Sequence, residues 1–401
     1  MRGRGAFAEG GCADKILRMS STSTEFVRPT HVVVNLGRLQ DNLEAIRAHV
    51  GGAKVMPIVK ANAYGHGLDE VARFLAPQVD YIGVAVLEEG IHLRKLGVRA
   101  PVLVLGGIWG DQIPLYLKHD LTMTASSLER LEQIEAAAGA LKKKARVHLK
   151  IDTGMERIGV HYYNAHLLQE AALRHKNVVV EGIYSHFANA DAADLAHARL
   201  QLERFDEVLR FYERHSLPMP MRHMANSGGI LQLPESHYDM VRPGILLYGV
   251  YPSAEVQRSV AVKPALSWKS RVVYFKVVEA GHPVSYGSTW QSGHAVRMVT
   301  IPVGYGDGYF RSMSSQAYVI IRGQKYPQVG RICMDQMMVN LEMGTAYNGD
   351  EVILIGEADG ETVTVEDLAG WAGTIPYEIL TNIGARVPRV YEEGRAPKTE
   401  G

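Results

Sequence analysis

Between Lys54 and about Val250 the chain alternates short β-rich runs with charged amphipathic stretches, and does so eight times. The runs are "VMPIVK", "YIGVAV", "PVLVLGG", "LTMTAS", "ARVHLKID", "VVVEGIYSH", "MRHMANS" and "MVRPGILLYG". Between them lie segments such as "LDEVARFLAPQ", "SSLERLEQIEAAAGALKKK" and "LQLERFDEVLRFYERH", with apolar residues at helical spacing and charges opposite. Eight strand–helix units suit closure into an α/β (β/α)8 barrel better than the competing doubly wound open sheet. After Tyr251 the texture changes: "SWKSRVVYFKVVEA", "HAVRMVTIPVGYG" and "GDEVILIG" are short β runs between Gly, Pro and Asp turns. The expected organisation is an extension over 1–27, a barrel over 28–252, a mostly β C-terminal domain over 253–391 and a tail over 392–401.

The 401 residues are 46% hydrophobic, enough for two packed domains. Lys+Arg and Asp+Glu are both 43, a balance that argues against a nucleic-acid footprint. Two cysteines, Cys12 and Cys333, exclude a disulfide framework and make a reducing, cytoplasmic setting the default. No apolar run approaches the roughly 20 residues of a membrane span. The first 27 residues lack the apolar core of a secretory signal. Arginines and serines there hint at a transit peptide, but Glu9 and Asp14 count against it. The bland reading is a disordered extension, with Met19 an alternative start.

Barrel enzymes carry their chemistry at the C-terminal ends of the strands and often bind phosphate after strands seven and eight. Those ends hold Lys60, Lys150–Asp152, His186, Asn226–Ser227 and Arg242–Gly244. Ser227, Gly228 and Gly229 open a helix directly after strand seven, which makes an anion site, and Gly244 and Ile245 lie beside it after strand eight. Each alone reads as an ordinary turn; together, at those two strands, they favour a phosphate. A lysine at a strand end is usually a solvated amine. Lys60, however, follows an apolar strand, where desolvation would leave neutral amine to attack a carbonyl. A phosphorylated aldehyde satisfies both observations, which points to pyridoxal phosphate.

The segment "IVKANAYGHG" resembles the cofactor-lysine signature of the alanine racemase family. The resemblance continues in order through "KIDTGMERIGV", "YSHFANAD", "ANSGG", "VRPGILLYG", "VSYGSTW", "PVGYGDGY", "GRICMDQMMV" and "TIPYEILTNIGARVPRVY", over about residues 30–391. It implies a pyridoxal phosphate enzyme with a barrel and a C-terminal β domain, working as a head-to-tail homodimer with shared active sites. It also implies that the first strand, about 30–36 ("HVVVNL"), packs with the C-terminal domain, and it implies no metal.

Roles follow from the resemblance residue by residue. Lys60 would form the aldimine with the cofactor and then act as one base, with Tyr286 of the partner subunit as the other. A tyrosine of ordinary pKa, about 10, is a poor base near neutrality, so it needs neighbours, for which His186 and Arg242 are the candidates. Without the resemblance, Tyr286 reads as a β-domain core aromatic and His186 as a core histidine. Arg242 is expected against the pyridine nitrogen, which it would leave unprotonated. Tyr64, Asn226, Ser227, Gly244, Ile245 and Tyr377 complete the expected cofactor contacts, and Tyr377 narrows the pocket towards alanine. Arg157 and the Met334 amide would take the substrate carboxylate. Lys150 is a lysine that some relatives carbamylate. Glu156 stands where several relatives have glycine.

The function implied is interconversion of L- and D-alanine for peptidoglycan synthesis. The rivals are a serine or broad-specificity racemase, a pyridoxal phosphate carrier, which resembles the barrel alone, and a barrel decarboxylase, which uses a different phosphate loop. Residues 255–391, Tyr286 and Tyr377 favour the alanine enzyme.

Overall fold

The computed structural model describes residues 28–393. The expected extension over 1–27, with Cys12, and residues 394–401 lie outside the described residues. Eight parallel strands form the barrel: Lys54–Val55, Ile82–Val84, Val102–Val104, Thr122–Ala125, Ala145–Asp152, Val178–Tyr184, Met221–His223 and Met240–Val241. From the second to the seventh, each pairs in parallel with the next. Ile58 bridges to Gly83 to join strands one and two. Asp239 N and Arg242 N donate to Arg222 O (3.1 Å) and Ala225 O (2.9 Å) to join seven and eight. Met240 and Val241 then pair with Lys54 and Val55, which closes the ring.

The first and last ladders are shorter than the apolar runs that encode them. Pro57 and Pro243 have no N–H to offer. Single bonds carry the edge onward, Ile58 N to Pro243 O (3.0 Å) and Val59 N to Gly83 O (2.9 Å). After Pro243 the chain winds into a 3-10 turn, Ile245–Tyr248, rather than extending the strand.

Helices alternate with the strands outside the barrel, the longest between two strands being Ala196–Arg214 and Leu128–Ala140. The helix Leu36–Val50 precedes strand one and packs on the Ile245–Tyr248 turn. Its buried Asn42 donates to Leu247 O (3.0 Å) and Lys263 O (2.9 Å) and accepts from Lys263 N (2.8 Å). One asparagine thus satisfies three backbone groups where the barrel hands over to the second domain.

The C-terminal domain is built on a ten-stranded sheet. Its path runs from Tyr274–Val278 through Val296–Ile301, Met337–Glu342, Gln324–Val329, Tyr318–Ile321, Glu351–Ala358 and Leu266–Arg271 to His31–Asn35 and Arg389–Glu392. The strand His31–Asn35 is therefore inserted between later segments, antiparallel to Leu266–Arg271 and parallel to Arg389–Glu392. Trp268, fully buried, meets the Tyr309 ring edge-on at 5.7 Å at the core of this domain.

Candidate active site

Lys60 stands where barrel strand one gives way to a turn of unusual hand. Ala61, Asn62, Ala63 and Tyr64 have φ of 52°, 56°, 52° and 52°. Each left-handed non-glycine residue costs about 1–2 kcal/mol, so the run persists only because its surroundings hold it. The Lys60 amine is held below the ordinary lysine range, by burial first and then by Arg157 and Arg242, with Glu89 opposing. A neutral fraction of amine at the barrel mouth is what carbonyl capture needs.

Below Lys60 the barrel interior is polar. Strand Ala145–Asp152 is buried on both faces, and His148, Lys150 and Asp152 alternate along it at 0, 3 and 3% exposure. Arg242, also buried, donates from Nη2 to Ser185 O (2.9 Å), Met224 O (2.9 Å) and His186 Nδ1 (3.0 Å), and from Nη1 to His223 Nδ1 (2.9 Å). An arginine keeps its proton, so both histidines accept. The His223 proton then sits on Nε2 and is donated to His148 Nδ1 at 2.7 Å. Burial, followed by the Arg242 charge, keeps both histidines and His186 below the ordinary range. The Tyr184 ring stacks on His223 at 4.7 Å and carries Lys150 Nζ above it at 5.1 Å. Burial brings the Lys150 amine down to about 7, with Arg242 and Arg157 adding to it.

Arg157 is exposed on the loop after strand five, and that loop is folded around one carboxylate. Asp152 Oδ1 accepts from Gly154 N (2.8 Å) and Met155 N (3.0 Å), and Oδ2 from Arg157 N (3.2 Å). The Arg157 guanidinium makes no ion pair among the described residues. Glu156 before it has φ of 54°, the left-handed region that favours glycine, and its carboxylate meets His161 Nε2 at 2.9 Å.

The expected phosphate residues converge. Asn226 caps the helix Ser227–Gln232, accepting from Gly229 N at 3.0 Å. The first helical bond runs from Ile230 N to Asn226 O, so the Ser227 and Gly228 amides precede the ladder. Ser227 Oγ accepts from Gly244 N (3.1 Å) and Leu246 N (3.3 Å). A Cβ on Gly244 would lie 2.5 Å from Tyr64 Oη, which is why only glycine fits there. Tyr64 stacks on Tyr248 at 5.0 Å and faces Tyr377 at 6.1 Å. Burial pushes the Tyr64 and Tyr377 phenols up, so both remain O–H donors.

Tyr286 and Met334 do not join this cluster within one chain. They are 70 and 52% exposed on the C-terminal domain. Tyr286 opens a 3-10 turn beside a concave surface that also includes Tyr274, Val278, Ser285, Cys333 and Met338. Tyr305 N donates to Cys333 O (3.0 Å) and Gly306 N to Met334 O (2.9 Å). The Cys333–Met334 peptide is trans, so the Met334 N–H points away from Tyr305.

The sequence reading did not single out Glu89, His148, Tyr184 or His223 for the site. A period-two row of Arg146, His148, Lys150 and Asp152 in an otherwise apolar strand is the signal that marks a polar barrel interior.

Residues 34–252 match the family described as "Alanine racemase, N-terminal domain", and residues 265–391 match "Alanine racemase, C-terminal domain". The chain is 46% identical over 368 residues to an alanine racemase of Carboxydothermus hydrogenoformans, covering 91% of this chain and all of that one. It is 42% identical to an alanine racemase of Symbiobacterium thermophilum, covering 91% and 97%. Among solved structures it resembles an alanine racemase of Clostridium difficile (TM-score 0.87, 37% identity, 92% and 97% covered) and one from Streptomyces lavendulae (0.88, 35%, 92% and 98%). By sequence over both of its halves, and by fold, the chain belongs to the alanine racemase family.

Proposed function

We propose that Lys60 and Tyr286 of the partner subunit move the protons of alanine racemisation in a homodimer. The family interconverts L-alanine and D-alanine with pyridoxal phosphate, and its D-alanine feeds peptidoglycan synthesis. The observation that carries the reading is the Lys60 amine, lowered by burial at the barrel mouth beside Arg157 and Arg242.

The residues fit the cofactor. Arg157 and Arg242 both lower the Lys60 and Lys150 amines, opposed by Glu89 at Lys60 and Asp152 at Lys150, and backbone amides occupy the Asp152 oxygens. A cationic site of this kind suits an anionic ligand. Tyr64, Asn226, Ser227, Gly244, Ile245 and Tyr377 would hold the phosphate, and Arg242, with His186 beside it, would face the ring nitrogen. Bound there, pyridoxal phosphate supplies a carbonyl for amine capture and an electron sink for the α-carbon.

The protein's own work is positioning and proton transfer. Arg157 clamps the substrate carboxylate, with the N–H of Met334 of the partner subunit as a second donor. Lys60 Nζ takes or returns a proton on one face of the α-carbon. Tyr286 of the partner subunit does so on the other, its neighbours being His186 and Arg242. Arg242 is a donor that keeps its proton, so it would favour an unprotonated ring nitrogen if it faces one. Tyr377 crowds the pocket and favours a small side chain.

Homodimerisation is supported by the outward turn of Tyr286 and Met334. The division into a cofactor barrel over 28–252 and a β domain over 253–391 is supported by the two sheets. A cytoplasmic setting is supported by the cysteine count, with Cys333 a free thiol. Among the described residues no helix is long and apolar enough to cross a membrane. Lys150, brought to about 7, is neutral enough for carbon dioxide to carbamylate, which would set an anion beside Arg157.

Chiral analysis of L-alanine incubated with the enzyme in deuterated water tests the reading. Deuterated D-alanine, with strong loss of turnover in Tyr286→Phe, is expected. Exchange of the α-hydrogen without D-alanine would overturn the role of Tyr286.

A further inference from the structure

The left-handed turn after Lys60 is gripped from two sides by residues without an assigned role. On one side Glu89 Oε1 accepts from Ala61 N at 2.7 Å, while Oε2 accepts from Ala85 N (2.8 Å) and Val86 N (3.3 Å). One carboxylate thus ties the turn after barrel strand one to the turn after strand two. On the other side Arg389 Nε donates to Gly65 O (3.0 Å), and Tyr391 Oη donates to His66 O (3.1 Å).

Both of these residues lie on Arg389–Glu392, the last strand of the C-terminal sheet. The Arg389 fork is itself fixed, donating to Gly384 O (2.7 Å), Val387 O (2.6 Å) and Ile383 O (2.6 Å). Contact is close along the whole seam. A Cβ on Gly65 would lie 2.0 Å from Leu380 O, and one on Gly67 would lie 1.8 Å from Tyr391 Oη. The bonds inside the turn, such as Gly65 N to Ala61 O (3.1 Å) and Gly67 N to Asn62 O (2.9 Å), follow its left-handed path but do not select it.

We propose that Glu89, Arg389 and Tyr391 are positioning residues for Lys60: together they hold the left-handed turn that aims its amine at the barrel mouth. Cofactor retention then depends on the docked C-terminal strand, although that strand touches no reacting atom. The proposal rests on the assignment of Lys60 as the cofactor lysine.

The test uses the holoenzyme. Borohydride reduction and peptide mapping of the wild type first locate the lysine that carries pyridoxal phosphate. Tyr391→Phe removes one hydroxyl, a hydrogen bond worth about a fivefold factor. It is expected to release cofactor about fivefold faster on dialysis, read by absorbance, and to lower kcat with little change in KM for alanine. Arg389→Ala should exceed that, and Arg389→Lys should not restore it, because an ammonium lacks the fork. A purely structural role would lower the melting temperature and leave the kcat of loaded enzyme and the release rate unchanged, which would overturn the proposal. Wild-type release from Tyr391→Phe, with the label on Lys60, would sink the clamp alone. A label on another lysine would sink the Lys60 assignment, and the clamp with it. Should Arg389→Ala fail to fold, the loss of a single hydroxyl in Tyr391→Phe still decides.

Discussion

Lowering the pH from 7 to 5 should destabilise this protein through histidines remote from its surface. His66, His148 and His223 are fully buried. His66 is brought down to about 4 and His148 to about 3, both chiefly by burial, and His223 lies well below the ordinary range. His66 donates from Nδ1 to Tyr64 O at 2.9 Å, its ring lies 4.5 Å from Tyr248, and its Nε2 has no partner among the described residues. His148 Nε2 is likewise unpartnered. In the unfolded chain each would bind a proton near pH 6.5, and in the folded one only well below that. The unfolded state therefore takes up protons first, and stability falls as the pH drops from about 6.5 towards 4. At pH 5 the loss is about 2 kcal/mol each for His66 and His148, roughly 4 kcal/mol together, and His223 adds to it in the same direction. That is a large share of the 5–15 kcal/mol, roughly, of a typical domain. Urea unfolding of the holoenzyme, followed by circular dichroism at pH 7, 6 and 5 and one protein concentration, reads this slope. His66→Gln/His148→Gln is expected to lose about 4 kcal/mol less than wild type across the interval, whatever the substitutions cost at pH 7. An unchanged slope in that variant would refute the reasoning.

Other expectations rest on single contacts. Gly244→Ala drives a Cβ against Tyr64 Oη, and overpacking of about 1–3 kcal/mol should weaken cofactor binding about five- to 150-fold. Adding Tyr64→Phe should recover part of that in an absorbance titration, and strictly additive losses would count against the clash. The Lys150 amine titrates near 7 when folded but near 10.4, roughly, when unfolded. The unfolded chain holds the extra proton in between, so the melting temperature should rise with pH between about 7 and 9, and Lys150→Met should flatten that rise. Glu156→Val, β-branched at a positive φ, should be about 1–2 kcal/mol less stable than Glu156→Gly by denaturant titration. Equal stabilities would mean that this loop does not need its left-handed residue.

The barrel was legible because each of its strands is a run of apolar residues whose period and length are local properties. Lys60, Ser227, Arg242 and Gly244 could be placed for the same reason, since a strand end is visible wherever a strand is. The shortening of the first and last ladders was present in the text as Pro57 and Pro243, though an apolar run outweighs a lone proline when periodicity alone is counted. The hand of the Ala61–Tyr64 turn had no such signal. Ala, Asn, Ala and Tyr carry no left-handed preference beyond that of Asn62, and the groups that hold the turn lie about 25 and 330 residues away in Glu89, Arg389 and Tyr391. The His148–His223–Arg242 chain was likewise spread over three strands. Arg242 stood out at its strand end, but nothing local tied it to His148 or His223, and only the fold brings the three together.

The insertion of His31–Asn35 beside Arg389–Glu392 has a consequence for biosynthesis. Roughly 350 residues separate the two strands, about 20–70 s of translation at about 5–20 residues per second. Leu266–Arg271 can take one edge of "HVVVN" on the way, but the other edge stays open for the whole interval, an invitation to wrong pairing. The strand that completes its sheet also brings Arg389 and Tyr391. A nascent chain can therefore wrap its barrel early, yet the clamp proposed for Lys60 can form only once Arg389–Glu392 has been made.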